Sequence, residues 1–540
     1  MICEEPQLDC FCPSPLVETP RPSLPASRVV DSNLRKKLRP TLQPRELYAG
    51  LRKTDSLEAH DDYYALVDAV QKDDKIVDAF GIPERQNLLD GDPVGQVVLA
   101  DVYQGLEPTV KRGTIKTIRI MEQIRKTEEL YNRAFDQSPS MGVATYYAKR
   151  CWGDVPVEED GSANFFVPAL REIYFQALDA QGREVQRMTS AVQFMPGESI
   201  GCVGCHEDRD SIPATAQDAS RRPIAGLRAP DVPKIPDFIY AAHSERARRG
   251  LNPTLDAGVL DYQSLVQPVL DKYCLSCHDS PDPAGGCDLS GDMTRFFCMS
   301  YESLLLRSRS YRQEDMLTGE MLDSQKELGK PLVQFYWLLW TSSGIHQPYS
   351  SGTYASRLPD YFDESHCKAK VDPQSMARII LWLDSNAIYQ GTYAHARPNS
   401  PGRRDRWGTL DGDGFAPWFK DDFLPVYAEK CQSCHQRIEG GNDDLRVASA
   451  NPNTDWTGRF AWINLTRPEM SAALLAHLPK AEGGRGISTN QDPHNPAYIF
   501  SSKEDKNWEQ MLRAIERGRD DALARPEADQ PGFRNARPEP

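Results

Sequence analysis

Three times in 540 residues the chain sets two cysteines three apart with a histidine directly after the second: CVGCH (202–206), CLSCH (274–278) and CQSCH (431–435). Chance would give this pattern about 0.006 times at this cysteine and histidine content. Two thiols one turn apart can add to the two vinyl groups of a haem, while the next residue, an imidazole, reaches the iron. Zinc competes for paired cysteines, because two CxxC pairs can build a Cys₄ site. Zinc does not require a histidine after every pair, and a redox CxxC leaves the histidines without a role. The motifs therefore predict three covalently bound haem c groups. Cys202, Cys205, Cys274, Cys277, Cys431 and Cys434 are the attachment points, and His206, His278 and His435 the proximal ligands.

The remaining composition narrows the setting. The chain has 63 basic and 78 acidic side chains, a net charge of −15, which argues against nucleic-acid binding. Its apolar runs are too short for a transmembrane helix. MICEEPQLDCFCPSPL lacks the basic and apolar regions of a signal peptide. Haem c is attached outside the cytoplasm, so a periplasmic or other extracytoplasmic location is expected, with the natural start of the chain further upstream.

Residues 1–45 hold eight prolines and read as an extended connector, and 46–90 as a charged, partly helical linker region. From residue 91 to 200 the pattern becomes short, β-branched and aromatic, as in VGQVVLADVY, TIKTIRIM, ANFFVPA and EIYFQALDA, with turn signals between. This predicts a small antiparallel β-sandwich ending just before the first motif. Residues 201–254 carry the first haem segment, where MPGESIG precedes CVGCH and no lead-in helix is expected. The other two motifs open a repeated unit, over 255–398 and 399–540. VQPVLDKYCLSCH aligns with FLPVYAEKCQSCH, with Pro268 matching Pro425, Val269 matching Val426 and Ser276 matching Ser433. A proline suits the first turn of a helix. Each unit closes with an amphipathic helix. In one, Asp372 caps and Met376, Ile379, Ile380 and Leu383 share a face; in the other, Trp508, Met511, Leu512 and Ile515 do so and Gly518 stops the helix. The fold class expected is multidomain α+β: the β-sandwich followed by two mainly helical class I-type cytochrome c domains.

DGSANFFVPALREIYFQALDAQGREVQ followed by PGESIGCVGCHE resembles the middle domain of the hydrazine synthase alpha subunit and its multihaem relatives. VQPVLDKYCLSCH, SYESL and RIILWLDSNAIYQGTY resemble the cytochrome domain that follows it there. WINLTRPEMSAALLAHLPKAEGG and the late PGF resemble an extra C-terminal cytochrome domain of many relatives. The family usually carries an N-terminal β-propeller, and FCPSPLVETPRPSLP looks like the connector leaving it. The resemblance implies that the middle-domain haem is the reactive one, its iron taking a tyrosine four residues after the motif histidine, which turns to zinc. Here that position is Asp210. It also implies two axial histidines for the following domain, a pattern His278 and His366 fit.

His366 stands directly ahead of the closing helix, where a sixth ligand is expected, with Met293 and Met299 as competitors. For the third haem, His477 and His494 both fall between motif and closing helix, and DQPGF places Gln530 where relatives tend to have methionine. His243 is a weak distal candidate for the first haem. His60, His346 and His395 read as ordinary surface or core residues. Of the remaining cysteines (Cys3, Cys10, Cys12, Cys151, Cys287, Cys298 and Cys367), Cys287 and Cys298 are the first pair expected to form a disulfide. Zinc at Cys151 with His206 follows from the family analogy alone. The functions expected are electron transfer with other redox proteins, or turnover of a small nitrogen compound or peroxide at the first haem, in company with further subunits. A pure binding module built on the β-sandwich leaves three attachment sites unexplained.

Overall fold

The computed structural model describes residues 93–125, 142, 145, 147–205, 224–251, 258–309, 330–335, 347–366, 369–393, 405–408, 415–435, 462–490, 492 and 494–533. The chain divides into two units, Met1–Ile82 and Pro83–Pro540, and all described residues belong to the second. The connector and linker expected before residue 91 lie outside the described residues.

Among the described residues, strands β1 (Val94–Leu99), β2 (Thr117–Ile124), β3 (Ala148–Pro156), β4 (Ala163–Pro168), β5 (Ile173–Leu178), β6 (Glu184–Arg187) and β7 (Ser199–Cys202) form two open sheets. One runs β4-β1-β7, the other β3-β2-β5-β6. The Phe165 and Phe175 rings meet edge-on at 5.5 Å and join the sheets face to face. The sandwich is not wholly antiparallel: β7 runs parallel to β1, with Leu99 opposite Cys202. It also does not end before the first motif, because its last strand contains Cys202. Strand β3 is bulged. Gly153 and Cys151 pair with the consecutive residues Ile120 and Met121, so Trp152 is the extra residue. Its indole N–H donates to the buried Glu122 at 2.8 Å.

The four-stranded sheet is covered on both faces, which is why β5 is buried at every position. Met121, Cys151 and Tyr174 join one core with Ile239 of helix α1 (Asp237–Arg248), Leu270 of α2 (Gln267–Tyr273), and Ile379 and Trp382 of α5 (Pro373–Asp384). Short helix α3 (Leu275–His278) and helix α4 (Met299–Arg309) lie between these in sequence. Burying an aliphatic side chain such as Leu270 or Ile379 contributes roughly 1.5–3 kcal/mol, so sheet and helices stabilise each other. A second core gathers Trp418, Phe419 and Phe423, Val426 of α6 (Leu424–Lys430), and Met511 and Ile515 of α8 (Lys506–Ala524). Helix α7 (Gln432–His435) follows α6 directly. No described helix is long and apolar enough to cross a membrane.

Helix α8 does not stop at Gly518 but runs on to Ala524. A Cβ on Gly518 would stand 2.7 Å from the Trp418 ring, so glycine is required by packing. Alanine gains about 1 kcal/mol of helix propensity, while overpacking costs typically about 1–3 kcal/mol. Gly518→Ala is therefore expected to lower the melting temperature. A melting temperature above the parent's would show that Trp418 yields without cost.

Candidate functional site

The second and third motifs are built alike. Pro268 and Pro425 sit in the first turn of α2 and α6, and Val269 and Val426 are buried. Each helix ends on the first motif cysteine, Cys274 at φ −117°, ψ −31° and Cys431 at φ −117°, ψ −33°. Each of these residues donates its N–H to the carbonyl four residues back, at 2.8 Å. The remaining motif residues form the single turns α3 and α7. In α3 the N–H groups of Cys277 and His278 both return to the Cys274 carbonyl, at 3.2 and 3.0 Å. Two sulfurs and an imidazole thus leave one tight turn. The side chains of Cys434 and His435 lie outside the described residues.

His278 and His366 are brought together, with ring centroids 6.2 Å apart and planes inclined by 26°. An iron held between two imidazoles needs two metal–nitrogen bonds of about 2 Å, with each centroid about 1.1 Å behind its nitrogen, or about 6 Å in all. The spacing fits one iron between the rings. The His278 Nδ1 lies 2.9 Å from the Cys287 carbonyl oxygen. A carbonyl can only accept, so Nδ1 carries the proton and Nε2 the lone pair, the tautomer a metal ligand needs. His366 sits in a turn between the Asp363 carbonyl, 3.3 Å from its N–H, and the Ala369 N–H, 2.9 Å from its oxygen. Its ring meets Tyr361 edge-on at 5.1 Å. Met299 is buried at the start of α4, and Met293 belongs to the core of the third unit, where its sulfur meets the Gln530 amide. Cys287 and Cys298 are buried thiols and not a disulfide. Cys287 orients His278 through its carbonyl, while the Cys298 sulfur meets Ser300 Oγ at 3.2 Å. Burial pushes the Cys298 thiol up to about 12.

Asp372 ties the two ends of this unit together. It caps α5 by accepting from the Ser375 N–H at 2.9 Å, and it accepts from the hydroxyl of Tyr273, the residue before Cys274, at 2.7 Å. The bonds from Ser375, then that from Tyr273, hold its carboxyl well below the usual range. Replacing such a cap costs typically about 1 kcal/mol. Asp372→Ala is expected to lose that much in urea unfolding at neutral pH. A depressed folded pKa stabilises above the unfolded value of about 3.9 and ceases to do so as pH falls through the folded one. The difference between parent and variant should therefore shrink below about pH 4. A difference that does not change with pH would remove the charged cap from the account.

The first motif has a different setting. The carbonyls of Cys202 and Val203 accept from the N–H groups of Ala100 and Asp101, at 2.8 and 3.1 Å. A Cβ on Gly204 would stand 2.5 Å from the Gln104 carbonyl oxygen. Only glycine lets the loop between the cysteines lie this close to the strand-β1 turn. His206 and Asp210 lie outside the described residues, as do His60, His346, His395, Cys3, Cys10, Cys12 and Cys367. His243 on α1 is 3.3 Å from the Arg246 guanidinium through Nδ1. Arginine can only donate, so that Nδ1 accepts and the neutral ring carries its proton on Nε2. Cys151 is fully buried and burial pushes its thiol up to about 12. Among the described residues no group of three or more His, Cys, Asp or Glu is arranged to hold a bare metal ion.

In the third unit, His477 Nδ1 lies 2.7 Å from the Ile487 carbonyl oxygen, the same tautomer-setting contact that His278 makes. His494 is exposed, held through its backbone N–H by Asp492 at 2.9 Å. Gln530 is buried, its Oε1 2.6 Å from the Glu527 N–H and its amide against Met293.

Comparison with known proteins points the same way as the sequence. Residues 113–207 match the family model described as the hydrazine synthase alpha subunit middle domain. The chain is 25% identical over 277 residues to the hydrazine synthase subunit alpha of Kuenenia stuttgartiensis, a match covering 43% of this chain and 33% of that protein. The chain thus spans about a third of that relative's length. A solved chain of Kuenenia stuttgartiensis hydrazine synthase aligns at 15% identity and a TM-score of 0.36, over 56% of this chain and 44% of that one. A likeness that distant carries no argument about the site. The chain is hydrazine synthase alpha-like.

Proposed function

We propose that the chain is a tri-haem c-type redox protein of an extracytoplasmic compartment, which passes electrons one at a time between its haems and other redox proteins. The observation that carries this reading is the pair His278 and His366 at 6.2 Å behind a CxxCH turn. Haem, when bound, would supply one-electron redox chemistry at an iron. Cys274 and Cys277 would hold its edge by thioether bonds, and His278 and His366 would take the two axial positions. The Cys287 carbonyl fixes the His278 proton on Nδ1, so the ligand nitrogen stays basic. In the third unit Cys431, Cys434 and His435 would play the matching parts. His477 is favoured over His494 as the sixth ligand, because its ring is oriented by a carbonyl.

A second reading is supported at the first motif. Cys202 and Cys205 lie on the end of an edge strand and the loop beyond it, and the His243 tautomer is unsuited to ligation through Nε2. A haem there, held proximally by His206, would keep an open position for a small nitrogen compound or peroxide, and the other two haems would deliver electrons. Hydrazine formation is not part of this proposal, because the position that carries tyrosine in the family is Asp210. The kinship with a protein named as a subunit supports further subunits as partners.

The expected result is a protein with three covalent haems when it is made with a signal peptide in a host that attaches haem c. Intact mass and a haem stain of a denaturing gel check it. A mass without haem, or zinc released in equal amount, would sink the proposal.

A further inference from the structure

The segment that follows the second motif histidine is strongly acidic, with Asp279, Asp282, Asp288 and Asp292 within fourteen residues of the sequence. It folds back on the histidine: the Leu289 N–H donates to the His278 carbonyl at 2.9 Å, and the Cys287 carbonyl meets His278 Nδ1. The third unit closes over this loop with two arginines. Arg467 donates from Nη2 to Asp279 at 2.5 Å and from Nε to Asp292 at 2.6 Å. Arg485 donates to the Pro281 carbonyl at 2.7 Å. Around them the Asn464 amide donates to Asp292 at 2.6 Å, Met293 N–H to Thr466 Oγ1 at 2.8 Å, and Leu465 N–H to the Met293 carbonyl at 2.8 Å.

Two functions follow from this geometry. Asp279 is the residue after the axial histidine, so whatever holds Asp279 limits how far the ligand turn can move. The same guanidinium also stands opposite two carboxylates beside the site where an electron must arrive. Burial works against the Arg467 charge, but the bonds to Asp279 and Asp292 outweigh it and keep the guanidinium protonated. All three side chains are at least two-thirds covered, so their field is screened less than that of a surface pair.

We propose that Arg467 is a positioning residue through which the C-terminal unit sets the reduction potential of the haem held by His278 and His366. The inference rests on the haem reading above and deepens it. Reduction adds one electron at the iron, and no bond forms or breaks. Arg467 favours that step by compensating Asp279 and Asp292. Without Arg467, two uncompensated carboxylates face the site and oppose it. The C-terminal unit thus acts on its neighbour's haem, and electron flow between the two depends on this contact.

The test is a spectroelectrochemical titration of the parent, Arg467→Ala, Arg467→Lys and Asp279→Asn proteins, with mediators supplying the electrons and haem content measured by pyridine haemochrome. Arg467→Ala should lower the reduced-to-oxidised ratio of one haem of three about tenfold at a fixed potential, a shift of about −59 mV for a one-electron couple. Arg467→Lys should stay near the parent, and Asp279→Asn should shift the same haem upward. A merely structural role would not reverse sign between Arg467→Ala and Asp279→Asn. If Arg467→Ala fails to fold, Asp279→Asn decides alone: an upward shift supports the proposal and an unchanged potential overturns it. Unchanged potentials in fully loaded variants overturn the role of Arg467 and leave the haem reading standing. A parent protein without haem overturns the haem reading itself, and this inference with it.

Discussion

Replacing His366 by alanine is expected to open one haem of three to carbon monoxide. The reduced parent should bind little at this haem, because two imidazoles occupy both axial positions. The variant should show a shifted Soret band for a third of its haem and take up one further equivalent of carbon monoxide. The effect should be confined to the site. His366 is half-buried, in a turn held by backbone bonds to Asp363 and Ala369 that alanine can keep, and only its ring contact with Tyr361 is lost. No sulfur is placed to step in, since Met293 faces Gln530 and Met299 is packed at the start of α4. A variant whose spectrum and carbon monoxide uptake equal the parent's would remove His366 from the iron.

The double change Cys202→Ala/Cys205→Ala is expected to abolish reductive turnover of nitric oxide, hydroxylamine or peroxide while leaving two haems in place. Cys202 is the final residue of β7 and its backbone bonds to Ala100 do not involve the sulfur, so the sheet should survive. The other two haems keep their own turns and cores, with buried residues such as Leu270 and Phe423 well away in sequence. Steady-state rates with a chemical reductant, set beside intact mass, measure the outcome. Equal rates in both proteins would move the reactive position to the third haem.

Much of this was legible because it is local. The alternation in VGQVVL and the apolar run in IYFQAL marked strands β1 and β5, and the Pro268–Pro425 match located both lead-in helices. His366 could be singled out from its place before Asp372, the cap of α5. What failed depends on partners distant in sequence. The parallel pairing of β7 with β1 joins residues about a hundred apart, and local alternation carries no sign of strand direction. Gly518 looked like a helix stop, because nothing near it reveals that Trp418 lies against it. Cys287 and Cys298 looked like a bridge on spacing alone, yet the backbone between them serves to aim one carbonyl at His278. Arg467 had no local signal at all. Its meaning comes from Asp279 and Asp292, more than 170 residues earlier.

Strand β1 is the middle strand of its sheet, with β4 on one side and β7 on the other, and the face of the second sheet carrying Met121, Cys151 and Tyr174 is roofed by helices from the next unit. A gene fragment that begins after Leu99 would leave two strands with open edges, and one that ends before α5 would bare an apolar wall; both invite aggregation. Recombination can therefore not carry the strands away without the helices and keep a soluble product. The β-domain and the cytochrome-like unit after it must be inherited as one piece, and new partners can be added only at the ends of that piece.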